Sequence, residues 1–212
     1  MRHRKRGRKL GRNPNHQRAL LRNLASALFL TERDAEGEAN APKVKGRIIT
    51  TLIKAKEVRP LVEKCVTIAC RAIPHREAAG RLESSAERNS DSWRQWRQSE
   101  QWREWNQAMA PAVAARRRLI RLLGDKSAVA VLLDEVAPRF VERNGGYTRI
   151  LRLAKPRLGD AGTQAILEFV GQHDRERRKA TRPAFEADAD QGPSSAEAAA
   201  GADVGTESTD AS

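Results

Sequence analysis

Nine cationic side chains, Arg2, Arg4, Lys5, Arg6, Arg8, Lys9, Arg12, Arg18 and Arg22, come before the first carboxylate of the chain, Glu32. A block of one sign repels itself, so it cannot close a core of its own. Gly7 and Gly11 keep the backbone pliant, and residues 1–12 are expected to be a flexible basic arm that takes shape only against a phosphate-rich surface. The other end has the opposite character. Residues 183–212 hold seven Asp and Glu, no Lys or Arg, and one aromatic, Phe185. That segment has too little apolar surface to offset the entropy of ordering and is expected to be a disordered acidic tail. The whole chain of 212 residues has a net charge of +13, and without the tail the charge is +20.

This balance points to a polyanionic partner rather than a small acidic substrate. No stretch free of charged and amide residues exceeds eight, as at Ala108–Ala115, where Pro111 interrupts it. A spanning helix needs about 20 apolar residues, so a transmembrane helix is excluded. The first residues lack the apolar stretch of a secretory signal, and two cysteines five apart, Cys65 and Cys70, do not suit a disulfide on one helix; both readings favour the cytoplasm.

The middle of the chain reads as alternating elements. Asn13 before Pro14 is a helix cap followed by a proline at the first helical position, and the stripe Leu20 or Leu21, Leu24 and Leu28 carries that helix over about 14–30. Residues 31–45 combine charges with Gly, Asn and Pro and are expected to be a loop excursion. The β-branched run over 47–53 predicts a strand. A helix follows with Val58, Leu61, Val62, Cys65, Ile68, Ala69 and Ala72 on one side; Pro60 requires it to start near Glu57 or to kink.

Residues 74–114 carry no net charge and all four tryptophans, in the near-repeat WRQWRQSEQ then WREWNQ. On one continuous helix Trp93 and Trp96 would point away from Trp102 and Trp105. That geometry favours a helical protrusion packing on the host domain or on a partner over a single base-stacking platform, although an aromatic beside Arg can also stack a nucleobase. Helices over 115–123 and 126–137 are separated by Gly124 and the cap Asp125, with Pro138 as a stop. After Gly145 and Gly146, runs at 147–153 and 164–170 alternate around a turn-rich connection, which predicts an antiparallel hairpin. The fold class is α+β in two layers: a small mixed sheet of about three strands covered by helices, in the order helix, strand, three helices, two strands.

No catalytic constellation is visible. His3, His16, His75 and His173 are scattered without metal-ligand spacing, and Asp134 and Glu135, being adjacent, diverge on a helix. Cys65 reads as a small core residue, and no phosphate-loop pattern surrounds Gly145-Gly146. That glycine pair suits a helix C-cap, a close ligand approach, or both. An enzyme, a cofactor and a metal site are therefore not expected. A basic DNA-binding or nucleoid-type protein shares the charge, but no recognition helix or dimer seam is found.

Four stretches, in order, carry a resemblance: MRHRKRGRKLGRNPNHQRALLRNLASAL at 1–28, ITTLIKAKEVRPLVEK at 49–64, LLDEVAPRFVERNGGYTRILRL at 132–153 and AILEFV at 165–170. Together they resemble the ribosomal protein L17 family of the bacterial large subunit. The resemblance implies one domain over 1–171, with inserts at 31–45 and 74–114, followed by an extension over 172–212. It also implies a ribosome-bound cytoplasmic protein whose partners are large-subunit ribosomal RNA of the 23S type and neighbouring large-subunit proteins. The RNA contacts it implies are Arg2, His3, Arg4, Lys5, Arg6, Arg8, Lys9 and Arg12 in the arm, then Arg18, Arg22, Lys54, Lys56, Arg139, Arg143, Tyr147, Arg149 and Arg152. The sequence departs from the family at CVTIACRA, where a basic position is shifted to Arg71, and Arg71 is left out of that set.

Overall fold

Asn13 and Pro14 open the first helix as the sequence predicts: α1 spans Pro14–Leu30, and Asn13 Oδ1 accepts a hydrogen bond from the Asn15 amide at 2.8 Å. In the computed structural model, residues 7–8, 10–35, 37 and 39–171 are described. The acidic-tail expectation and most of the basic arm lie outside them. The described part of the 31–45 segment contains neither helix nor strand.

Strand β1 is Arg47–Thr51, and helix α2, Leu52–Gly80, begins at the next residue. The strand is thus shorter, and the helix starts earlier, than the β-branched run and Pro60 suggested. Two facts explain the difference. Thr51 is extended at φ −72°, ψ 145°, and the Leu52 amide donates to Thr163 O at 2.9 Å, so the strand ends on a bond to the opposite loop and the helix starts there. Pro60 and Pro74 both lie inside α2, on its exposed side, where water can serve the carbonyls whose amide partners they remove.

Helix α3, Asp91–Gln98, is capped by Ser90, whose hydroxyl accepts from the Trp93 amide at 3.2 Å. Extended Ser99 separates it from α4, Glu100–Leu123. Helix α5 is Lys126–Val131, with Asp125 capping the amides of Ser127 and Ala128. It continues as a π-helical turn, Leu132–Val136, and a 3-10 turn, Ala137–Phe140. Pro138 cannot donate to a carbonyl one turn back, and the register widens just before it, with the Ala137 amide reaching Leu132 O. Four α-helices therefore separate the strands, instead of three.

Strands β2, Thr148–Arg152, and β3, Gln164–Phe169, form the expected antiparallel hairpin, with Thr148 opposite Phe169 and Arg152 opposite Ala165. Strand β1 adds to the other edge of β3, Arg47 opposite Glu168 and Thr51 opposite Gln164. The order is β1-β3-β2, and the sheet is antiparallel throughout rather than mixed. β1 and β2 do run in the same direction, but β3 lies between them, so no parallel pair forms.

One face of this sheet is covered. Ala165, Leu167 and Phe169 of β3 are buried with Val58, Val62 and Cys65 of α2, Leu28 and Phe29 of α1, Leu119 of α4 and Val129 of α5. An aromatic chain fastens the ends of the fold: Phe29 stacks on Phe169 at 5.8 Å between centroids, Phe169 meets Phe140 at 6.1 Å, and Phe140 meets Tyr147 edge-on at 5.3 Å. The other face bears Ile49, Ile166 and Leu151 in one row, with Ile49 65% exposed.

Candidate nucleic-acid interface

The cations implied as RNA contacts divide by what they already touch. Arg2, His3, Arg4, Lys5, Arg6 and Lys9 lie outside the described residues. Arg8 sits 3.7 Å from Glu57, which brings the base of the arm to the first turns of α2, where Lys54 and Lys56 lie. Arg12, Arg18 and Arg22 are exposed on and just before α1, and none has an ion-pair partner among the described residues.

Arg139 and Arg149 are engaged within the protein. Arg139 pairs at 2.8 Å with Glu32, a carboxylate only 9% exposed, and Arg149 pairs with Glu168 of the neighbouring strand. Glu168 stands in a row between Arg47 and Arg149 on the open sheet face, and of the two it is Arg149 that it pairs with. Arg152 is exposed at the end of β2. Tyr147 is 4% exposed and packs on Phe140, so its contribution is to hold the start of β2 in the core. Next to it, Thr148 donates to Glu63 of α2 at 3.0 Å, and Glu63 also accepts from Arg59 at 3.1 Å.

A cleft of about 280 Å³ gathers Thr67, Cys70 and Arg71 from α2 with Arg143, Asn144, Gly145 and Tyr147. The structure thus returns Arg71 to the neighbourhood of Arg143. Gly145 and Gly146 have φ of +106° and +64°, and a Cβ on either would meet nothing within 4 Å. The last helical turn ends at Phe140 with Val141 as its cap, so the pair is not a helix C-cap; its positive φ values in the approach to β2 are what require glycine.

The tryptophan segment folds differently from one continuous helix. The break at Ser99 turns α3 back on α4 and brings Trp96 to 5.7 Å from Trp105 in an edge-on pair, while Arg97 lies over the rings of Trp93, at 5.0 Å, and Trp102, at 5.5 Å. Trp96 and Trp105 therefore pack on each other, and Arg97 lies between Trp93 and Trp102 over ring faces that a nucleobase would need. Trp105 also lines an apolar cleft with Met109, Ala112 and Leu133. Sequence reasoning did not single out Arg116, Arg117, Arg118 and Arg121, all exposed on α4. The consecutive arginines at 116–118 were the available signal.

Among the described residues no three His, Cys, Asp or Glu side chains cluster as metal ligands, and no helix is long and apolar enough to cross a membrane. Burial pushes the Cys65 thiol up to about 12 and raises that of Cys70, which keeps both protonated at neutral pH. Cys65 is fully buried, as a core residue should be. Asp134 pairs with Arg76 at 2.9 Å.

A scaffold of this kind, covered on one sheet face and rich in exposed arginine, agrees with comparison to known proteins. The family model described as Ribosomal protein L17 matches residues 20–170. The chain belongs to the ribosomal protein L17 family. "Large ribosomal subunit protein bL17" of Rhodopirellula baltica is 62% identical over 200 residues, covering 94% of this chain and 95% of that protein. The bL17 proteins of Nitratidesulfovibrio vulgaris and Thermomicrobium roseum are 35% and 38% identical, each over 80% of this chain and over 88% and 99% of their own lengths. The L17 family is one of ribosomal proteins, not of enzymes.

Proposed function

We infer that this L17 protein is a structural constituent of the large ribosomal subunit, in the cytoplasm, binding large-subunit ribosomal RNA of the 23S type beside neighbouring subunit proteins. The observation that carries the reading is the 62% identity with a large-subunit protein across nearly the whole length of both chains. The charge supports it independently: exposed arginines without internal partners need an external polyanion. One L17-like domain over 1–171, carrying the inserts at 31–45 and 74–114, and an extension over 172–212 are the organisation that suits this role.

The mechanism is electrostatic docking followed by ordering. The folded body presents Arg18, Arg22, Lys54, Lys56 and Arg152, with Arg143 half-buried in the cleft beside Arg71, and the arm over 1–12 enters crevices of the RNA, where Arg can pair with phosphates in a two-pronged manner. Arg139 and Arg149 contribute charge already half-neutralised by Glu32 and Glu168. Each phosphate contact adds roughly 0.7–0.9 to the slope of log affinity against log salt. Purified large subunits washed in high salt should retain the endogenous protein at one copy each. Deleting residues 1–12 should flatten the salt dependence of binding to transcribed large-subunit RNA. Absence from washed subunits would reject the function, and an unchanged slope would remove the arm from the mechanism. Tighter binding to duplex DNA than to this RNA would favour a DNA-binding protein instead.

A further inference from the structure

Helix α4 ends in a ridge of positive charge that the fold itself does not use. Its buried side carries Ala112, Leu119 and Leu123. At 100° per residue, Arg117, Arg118 and Arg121 fall on the opposite side, with Arg117 and Arg121 one turn apart. All three are exposed, and none has an ion-pair partner among the described residues. Arg18 and Arg22, also one turn apart, form a second such ridge on α1. The two are joined: the Arg22 guanidinium donates to the backbone carbonyl of Arg121 at 3.1 Å. That bond anchors Arg22 at the carbonyl end of α4, where a cation is favoured, and leaves its charge without a carboxylate.

Like charges one turn apart oppose helix formation, and the bond from Arg22 to the Arg121 carbonyl brings the two arginine pairs to one junction. Some arginines are paired, as at Arg139 with Glu32, Arg149 with Glu168, Arg76 with Asp134 and Arg157 with Asp160, while Arg12 and Arg152 are exposed without an ion-pair partner among the described residues. What sets the α1–α4 junction apart is that two one-turn arginine pairs meet there through the bond from Arg22 to the Arg121 carbonyl.

We propose that Arg18, Arg22, Arg117, Arg118 and Arg121 form one docking surface for the sugar–phosphate backbone of folded RNA. The proposal rests on the RNA-binding function inferred above. The occupant is a polyphosphate chain because five uncompensated cations on two helices match a regular row of negative charge, and guanidinium pairs with phosphate in a planar, two-pronged geometry.

The test compares the full-length protein with R117Q/R121Q, R18Q/R22Q and the control R157Q, whose target is already paired with Asp160. Binding to transcribed large-subunit ribosomal RNA is measured from low to high salt, with folding monitored by circular dichroism. Each double variant should lower the salt slope by roughly 1.4–1.8, two contacts' worth, while R157Q leaves it unchanged. R117Q/R121Q replaces exposed side chains with a residue of similar helix propensity, and R18Q/R22Q interrogates the same surface from the other helix, so loss of folding in one leaves the other as the test. Unchanged slopes in the folded variants, with the unmodified protein still binding steeply, would overturn the ridge alone. Failure of the unmodified protein to bind would instead overturn the functional reading beneath it. Poor incorporation into subunits with an unchanged RNA slope would assign the ridge to a protein neighbour and also overturn the proposal.

Discussion

Replacing Gly46 with alanine should disturb two parts of the fold at once. Gly46 adopts φ +74°, and a Cβ there would lie 2.6 Å from Glu32 Oε1, below the 3.0 Å that real Cβ contacts respect. The backbone has little room to yield. Its amide donates to Thr31 Oγ1 at 3.1 Å, and its carbonyl accepts from the Phe169 amide at 2.9 Å. The carboxylate is also held, because Glu32 pairs with Arg139 at 2.8 Å. A left-handed conformation costs a residue with a Cβ about 1–2 kcal/mol. Displacing Glu32 weakens a pair whose arginine is 37% exposed, so solvent screening holds that loss to about 1 kcal/mol. The expected destabilisation is therefore about 2–3 kcal/mol in urea unfolding. Glu32→Ala removes the obstacle. In that background Gly46→Ala should cost only the backbone term, leaving a coupling of about 1 kcal/mol in a double-mutant cycle. Strict additivity, or a neutral Gly46→Ala, would refute the reasoning.

Other expectations are checked more simply. Phe169→Ala removes the ring between Phe29 and Phe140 and should destabilise by about 3–5 kcal/mol, lowering the melting temperature by roughly 6–20 °C, whereas Phe169→Leu should lose less. Iodoacetamide at pH 8 should label Cys70, half-buried at the α2 cleft, before Cys65, whose thiol is pushed up to about 12; mass spectrometry of the folded protein reads the order, and equal rates would contradict the burial described.

Much of the fold was legible where local chemistry and tertiary packing agree. The Asn13-Pro14 start, the Asp125 cap and the alternating hairpin were all readable because each is decided by residues close together in sequence. The junction of β1 and α2 was not, since ITTLIKA is apolar enough to serve a strand or the first turn of a helix, and the Leu52 bond to Thr163 that decides it comes from a distant loop. Pro60 misled because its cost inside a helix depends on whether the orphaned carbonyl meets water. Ser99 carries no strong breaker signal, so the turn that brings Trp96 to Trp105 is not visible in the sequence. The site was legible as chemistry and not as placement. Arginine content named the partner class, but the sequence did not reveal that Glu32 lies against Arg139, Glu168 against Arg149, or Arg22 against the end of α4.

The central position of β3 sets a timetable for synthesis. Strand β1 is made early, yet its hydrogen-bonding partner lies more than a hundred residues later, and β2 waits on the same strand. At translation rates of roughly 5–20 residues per second, β1 spends roughly 6–20 s with both edges open. During that interval the nascent chain has already exposed its cationic leader, so its affinity for nucleic acid precedes the completion of its own sheet.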